Sequence, residues 1–211
     1  MDVKKFLSAV LSDKGFYCAV GIKNGKTIQR FYQTVDNLVE AAGNFDHDGY
    51  DAYFALATFG DNNSRKADNV SHLKSLFLDL DCGEGKPYAT QHEAIKALQE
   101  FCRALRIPKP SVIVNSGRGV HVYWVLDRGY ARDEWVPAAE RLKAACSQSG
   151  LHADPAVTLD AARILRIPGT HNYKGTPPID VAIFRGTESV YKLHEFVELL
   201  PEHLATVTAT R

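Results

Sequence analysis

Apolar positions along the chain change their spacing several times, and each change marks an element. Val3, Phe6, Leu7, Val10 and Leu11 recur at helical spacing and predict an opening amphipathic helix. Strand-like stretches follow around residues 16–22 and 27–31, divided by Asn24-Gly25, a dipeptide suited to a tight hairpin turn. Residues 51–59 form another apolar, aromatic run, and a polar loop at 60–66 leads to a strand that ends Leu76-Phe77-Leu78-Asp79-Leu80-Asp81. Thr90 and Glu93 make a capping box ahead of a helix carrying Ile95, Leu98, Cys102 and Leu105, which Pro108 and Pro110 stop. Two short strands, 111–115 and 120–126, flank Ser116-Gly117-Arg118-Gly119. A helix is predicted from near Asp133 to Ser149, with Pro137 in its opening turns and Gly150 as its stop. A last amphipathic helix carries Leu193, Phe196, Val197 and Leu200 and ends at Pro201, before a short polar tail where a longer chain could have been cut.

At 211 residues and 45% apolar content, the chain can bury one substantial core or two closely fused subdomains. No apolar run nears the roughly 18 residues that cross a bilayer, and charges interrupt the N-terminal helix too early for a signal peptide. Cys18, Cys82, Cys102 and Cys146 are scattered without a CxxC pair. That fits free thiols in a reducing cytoplasm, and no zinc site is evident. The 25 basic and 25 acidic side chains cancel. Proteins that hold nucleic acid by neutralising phosphates are usually basic, so any such grip here is local, weak or supplied by other segments.

Three segments carry chemistry. Alternation along a strand puts Asp79 and Asp81 on one face, where two like charges raise each other's pKa unless a cation sits between them. A divalent metal with hard oxygen ligands is one solution; a strand running into a solvated acidic turn at Asp81-Cys82-Gly83-Glu84-Gly85 is the other. The second segment is Asn115-Ser116-Gly117-Arg118-Gly119-Val120-His121, whose glycines allow a tight turn and whose serine, arginine and N–H groups suit phosphate oxygens. It lacks the Lys-Ser/Thr of a Walker loop. His121 leaves the apolar face of the following strand with Tyr123; the competing reading is a polar hairpin with a surface histidine. In the third segment, Asp154 and Asp160 precede Arg163, Arg166 and Lys174, with Gly169 and Asn172 in a turn. Arginine suits bidentate phosphate contacts and lysine supplies a mobile point charge, although Asp160 could instead pair with Arg163 or Arg166 at the surface.

In order and character these segments resemble the catalytic core of the archaeo-eukaryotic primase (AEP) superfamily, in particular the primase-polymerase domains of phage, plasmid and integrated-element replication proteins. Residues 163–174, Arg-Ile-Leu-Arg-Ile-Pro-Gly-Thr-His-Asn-Tyr-Lys, are the most distinctive part. The resemblance implies an α+β fold. An N-terminal α/β unit of about residues 1–70 would pack on an RRM-like sheet unit of about 71–200, with the active site in the cleft between them and a tail at 201–211.

It further implies DNA-templated nucleotidyl transfer, as primase, primer-extending polymerase or both. Asp79 and Asp81 would bind two catalytic metals, Mg²⁺ or Mn²⁺, with Asp154 as third ligand and Asp160 as its alternative. Ser116, Gly117, Arg118 and His121 would hold the incoming nucleotide, His121 as a donor to phosphate, with Arg163, Arg166 and Lys174 adding positive charge. Arg65, Lys66 and Lys74 read as a solvated loop that could touch nucleotide or template. The implied partners are a single-stranded DNA template, NTPs or dNTPs, and a helicase and an accessory primase C-terminal domain, fused or separate. The implied place is the cytoplasmic replication fork, without a membrane. Two other readings stand beside this one: a catalytically weak primase-like module that binds DNA or nucleotides, and a haloacid-dehalogenase-like phosphatase. The latter would need Thr or Val where Gly83 stands.

Overall fold

The computed structural model describes residues 1–201; the polar tail from residue 202 lies outside them. In chain order the elements begin with α1 (Val3–Val10), β1 (Tyr17–Lys23), β2 (Lys26–Tyr32), α2 (Val35–His47), β3 (Asp51–Ala55) and β4 (Ala57–Phe59). The long strand β5 (Val70–Asp81) follows, then α3 (Gln91–Ala104), β6 (Val112–Asn115), β7 (Gly119–Ala131), α4 (Arg132–Ser149) and α5 (Pro155–Leu159). The last are β8 (Ile164–Arg166), β9 (His171–Asn172), β10 (Ile179–Asp180), β11 (Ala182–Gly186) and α6 (Leu193–Glu198).

Two antiparallel sheets organise the chain. One has the order β2-β1-β3-β8, the other β11-β6-β7-β5-β4, and β9 with β10 makes a separate ribbon. The predicted hairpin at Asn24-Gly25 joins β1 to β2, with Lys23 opposite Lys26 and both turn residues at positive φ. The apolar run at 51–59 is not one strand. It breaks at Leu56, whose N–H donates to the Arg163 carbonyl, so that β3 joins the first sheet and β4 the second. Much later in sequence, β8 returns to pair with β3. The chain therefore crosses between the sheets more than once.

Helix α2 went unread in the sequence. Thr34 caps it by accepting from the Asn37 N–H, and its buried residues are Leu38, Ala41, Ala42 and Phe45. Two alanines and an interior glycine dilute the apolar stripe that would have announced it. Phe45 lies so close to Gly21 that a Cβ there would come within 2.7 Å of the ring. Helix α4 runs unbroken through Pro137 and ends at Gly150, which adopts φ +73°. Its Trp135 stacks on Phe77 at 5.4 Å and donates to the Ser75 carbonyl at 2.9 Å, so the indole N–H is not left unpaired in the core.

Helix α1 acts as a wedge. Asp2 caps it, and the buried Phe6 meets Phe54 of the first sheet and Tyr123 of the second edge-on, at 5.7 and 5.3 Å. The four cysteines are free, and no helix among the described residues is long and apolar enough to cross a membrane. Because both sheets lean on one ring, Phe6→Ala is expected to cost about 3–5 kcal/mol. Denaturant unfolding should show that loss in a single transition; two separated transitions would mean that the sheets do not depend on each other through α1.

Candidate active site

The register between β5 and β7 sets Asp79 opposite His121 and Asp81 opposite Gly119. Beyond that end of β5 lies a cleft of about 630 Å³ lined from both sheets. Of the residues singled out in the sequence, Asp79, Asp81, Ser116, Arg118, His121, Asp160, Arg163, Arg166 and Lys174 border it. Gly117 and Asp154 are not among the lining residues: Gly117 lies in the turn between Ser116 and Arg118, and Asp154 is bonded to the Asp79 backbone.

Asp79 is the most constrained charge. Burial, and after it the charges of Asp81 and Asp154, push its carboxyl up to about 7 against the opposing pull of Arg163 and Lys174. Asp154 is held against the strand by its N–H, which donates to the Asp79 carbonyl at 2.9 Å. Its side chain caps α5 through the Ala156 N–H at 2.8 Å and lies 3.7 Å from the Arg163 guanidinium. Asp160 borders the cleft but does not figure among the charges that raise Asp79; its carboxylate accepts from the Ala162 N–H at 2.9 Å and shapes the turn into β8. The surface pairing of Asp160 with Arg163 or Arg166 is not found. Arg163 faces Asp154, and Arg166 is buried against Asp51 at 2.5 Å with its guanidinium over the Tyr53 ring.

Among the described residues no three carboxylate, imidazole or thiol groups are gathered closely enough to hold a metal ion by themselves. The donor chemistry nevertheless suits a hard divalent ion. Asp79 and Asp81 offer carboxylate oxygens at an open cleft, and Mg²⁺-type ions are typically held by one or two carboxylates with substrate and water completing the shell. A buried carboxyl raised by two like charges is also the electrostatic situation that an added cation relieves.

The glycine turn is built from within. Asn115 accepts from the Gly117 N–H at 2.7 Å and from the Gln91 amide at 2.6 Å. Gly117 adopts φ +88°, and a Cβ there would sit 2.8 Å from Asn172; at Gly119 it would sit 2.7 Å from the Leu80 carbonyl. The room these glycines provide is thus taken by the protein's own strands. Asn172 is buried and donates to the Ser116 carbonyl at 2.9 Å while accepting from the Lys174 N–H at 3.1 Å, so it ties the turn to the basic segment. The Arg118 guanidinium lies across Gly175, where a side chain would collide with it.

His121 is 4% exposed, a buried residue and not a surface one. Burial and the charge of Arg166 push its pKa down to about 3, so the ring is neutral with a single N–H. Nδ1 is buried without a partner, while Nε2 lies 3.8 Å from Asp79 and faces the cleft side. Arg65, read as part of a solvated loop, instead donates to the Ala162 carbonyl and borders the cleft, whereas Lys74 reaches the Ser8 carbonyl away from it. Among the cleft residues that sequence reading missed are Tyr53 and Lys86. Lys86 follows two glycines in the loop after β5, and that combination was its available signal.

The architecture matches solved replication enzymes. The AEP domain of the cyanophage S-2L primase-polymerase superposes with a TM-score of 0.68 at 17% identity, covering 89% of this chain and 90% of that one. The catalytic domain of primase RepB′, solved in complex with initiator DNA, gives 0.61 at 15% identity, covering 93% and 89%. The chain thus has the α+β fold of archaeo-eukaryotic primase and primase-polymerase catalytic domains. In sequence it is 31% identical over 153 residues to a replication protein of Clostridium perfringens. That match takes in 71% of this chain and 36% of the relative, so the chain spans little more than a third of the relative's length. No family model matches.

Asp79 gives a pH prediction. Its carboxyl titrates higher in the folded chain than in the unfolded one, so its ionisation removes stability as pH rises from about 4 through about 7. With chelator present, Asp79→Asn should stabilise the protein at pH 8 by on the order of 2 kcal/mol and give little gain near pH 4. Thermal unfolding at the two pH values checks this; a gain of equal size at both would show that the carboxyl is not strained by ionisation.

Proposed function

We propose that the chain is the catalytic domain of a DNA-templated nucleotidyltransferase, a primase, a primer-extending polymerase or both, in the replication of a phage, plasmid or mobile element. The observation that carries this reading is the convergence of Asp79, Asp81, His121, Arg118 and Lys174 on one cleft within a primase-polymerase fold. Asp79 and Asp81 would hold divalent ions, Mg²⁺ or Mn²⁺. Such ions lower the pKa of the attacking hydroxyl and balance charge on the α-phosphate and the departing pyrophosphate. Asp154 is the preferred third carboxylate because its charge bears on Asp79; like that of Asp160, its carboxylate also accepts from a local backbone N–H.

Burial keeps the His121 ring neutral and a weak base, and as the Nε2–H tautomer it would donate to a phosphate oxygen. Ser116 and Arg118 sit on a turn fixed from behind by Asn115 and Asn172, which suits holding a triphosphate in one orientation. Lys174 adds a cation with no ion pair among the described residues, and Arg163 tempers Asp154. Arg166, committed to Asp51, shapes the cleft wall and contributes charge indirectly. With zero net charge the domain has little general attraction for DNA. A helicase or accessory primase domain, fused or separate, would therefore help hold the single-stranded template at a cytoplasmic replication fork.

Incubation with a single-stranded template, Mg²⁺ or Mn²⁺ and labelled NTPs or dNTPs, with and without primer, tests this reading. Wild type should incorporate nucleotides, and Asp79→Ala and Asp81→Ala should lose at least about a hundredfold while staying folded. A folded wild type that binds template without incorporation would support the binding-module reading instead. Asp154→Ala should be as damaging as Asp79→Ala, and Asp160→Asn much milder; the reverse order would exchange their roles. His121→Ala should raise nucleotide KM roughly tenfold or more, the worth of one hydrogen bond to a charged group. An unchanged KM would remove His121 from the nucleotide site.

A further inference from the structure

The loop that leaves the acidic strand is anchored at its base and open at its tip. The Cys82 N–H donates to the Arg118 carbonyl at 3.1 Å and the Gly83 N–H to the Tyr88 carbonyl at 2.9 Å. Between these anchors, Gly83 and Gly85 both have positive φ, and a Cβ at either would meet nothing within 4 Å. Lys86 sits at this open tip, and its side chain folds back over the end of β5 until Nζ is 2.8 Å from Asp81 Oδ2. About half of each side chain is exposed. Exposed pairs of this kind add little to stability, so the bond is easily exchanged for another. Its position is not ordinary, because the ammonium rests on one of the two carboxylates offered for a divalent ion.

The other cations of the cleft differ in their availability. Arg163 and Arg166 face Asp154 and Asp51, whereas Arg65, Arg118 and Lys174 have no ion-pair partner among the described residues, and Arg65 is bonded to the Ala162 carbonyl. A nucleoside triphosphate, with about four negative charges, brings more than those three cations balance. Lys86, with its four-carbon stem and its place on the cleft lining beside Glu84, is within reach of the same space once its hold on Asp81 is exchanged.

We propose that Lys86 is an exchangeable counter-ion: it neutralises Asp81 while no divalent cation is bound, yields to that cation, and then contacts the phosphates of the incoming nucleotide. The inference rests on the nucleotidyl-transfer reading above and predicts two effects of opposite sign. Removing the ammonium takes away a competitor for Asp81, so Lys86→Met should bind Mn²⁺ about two- to fivefold more tightly in the absence of nucleotide. The same variant loses a charged contact to phosphate. It should therefore bind nucleoside triphosphate roughly tenfold more weakly once Mn²⁺ is saturating.

Both affinities can be measured on the full chain, with Lys4→Met as a control that makes the same change in net charge at a distant pair with Asp36. Free Mn²⁺ is read by electron paramagnetic resonance, and nucleotide binding by calorimetry with ribo- and deoxyribonucleoside triphosphates carrying a non-hydrolysable α,β bridge. Circular dichroism confirms that each variant is folded. Tighter Mn²⁺ with weaker nucleotide, in Lys86→Met alone, supports the exchange. Two affinities that match those of Lys4→Met would reduce Lys86 to an ordinary surface pair, and two that fall together would make it a structural prop of the site. If wild-type Mn²⁺ binding is absent, or is indifferent to Asp81→Ala, the metal-dependent reading itself fails, and Lys86 loses its proposed role with it.

Discussion

The antiparallel register between β5 and β7 sets Asp79 opposite His121 and Asp81 opposite Gly119, while Leu78 and Leu80 pair with Val122 and Val120. Side chains alternate, so a slip of one residue would turn both carboxylates into the apolar interior and bring the leucines to the cleft. Two contacts outside the ladder and one within it hold the register. Trp135 donates its indole N–H to the Ser75 carbonyl, the Asp154 N–H is bonded to the Asp79 carbonyl, and Gly119 lies so near Leu80 that no side chain fits. The mutual placement of Asp79, Asp81 and His121 follows from that alignment.

Around the carboxylates the chain distributes charge in pairs of unequal commitment. Asp51 and Arg166 are buried together, and Asp51 also accepts from the Tyr173 N–H, so this pair fastens the ribbon of β9 and β10 to the first sheet. Breaking such a pair leaves an uncompensated buried charge, which makes it unsuited to exchange with a ligand. The Asp154–Arg163 contact is looser at 3.7 Å, and the Asp81–Lys86 contact is short but exposed. Exposure rises in that order, from the buried pair to the pair at the loop after β5.

Much of this was legible in the sequence where periodicity is local. The opening helix, the Asn24-Gly25 hairpin, the acidic strand and the long helix ending at Gly150 all announce themselves within a few turns or pleats. The Thr90 cap does too, although Glu93 reaches the Ala89 N–H. The break at Leu56 is different: residues 52–57 run without a charged residue, and what divides them is the sheet each half joins, a tertiary fact. The same applies to the site. Asp79 and Asp81 could be placed on one face of their strand, and His121 off the apolar face of its own, by counting along strands; that the two faces coincide is set by the register. The partner of Arg166, the burial of His121, the choice between Asp154 and Asp160, and the return of Lys86 depend on side chains far apart in sequence or on a loop's path.

The crossing of the chain between its sheets has a mechanical meaning. β4 and β3 are separated by one residue yet belong to different walls of the cleft, and β8 stitches the later half of the chain back to the earlier one. Walls sewn together in this way resist opening like a hinge, because swinging them apart would tear strand pairs from a sheet. The turns at the rim, held by fewer strand pairs, are where the cleft changes shape at least cost.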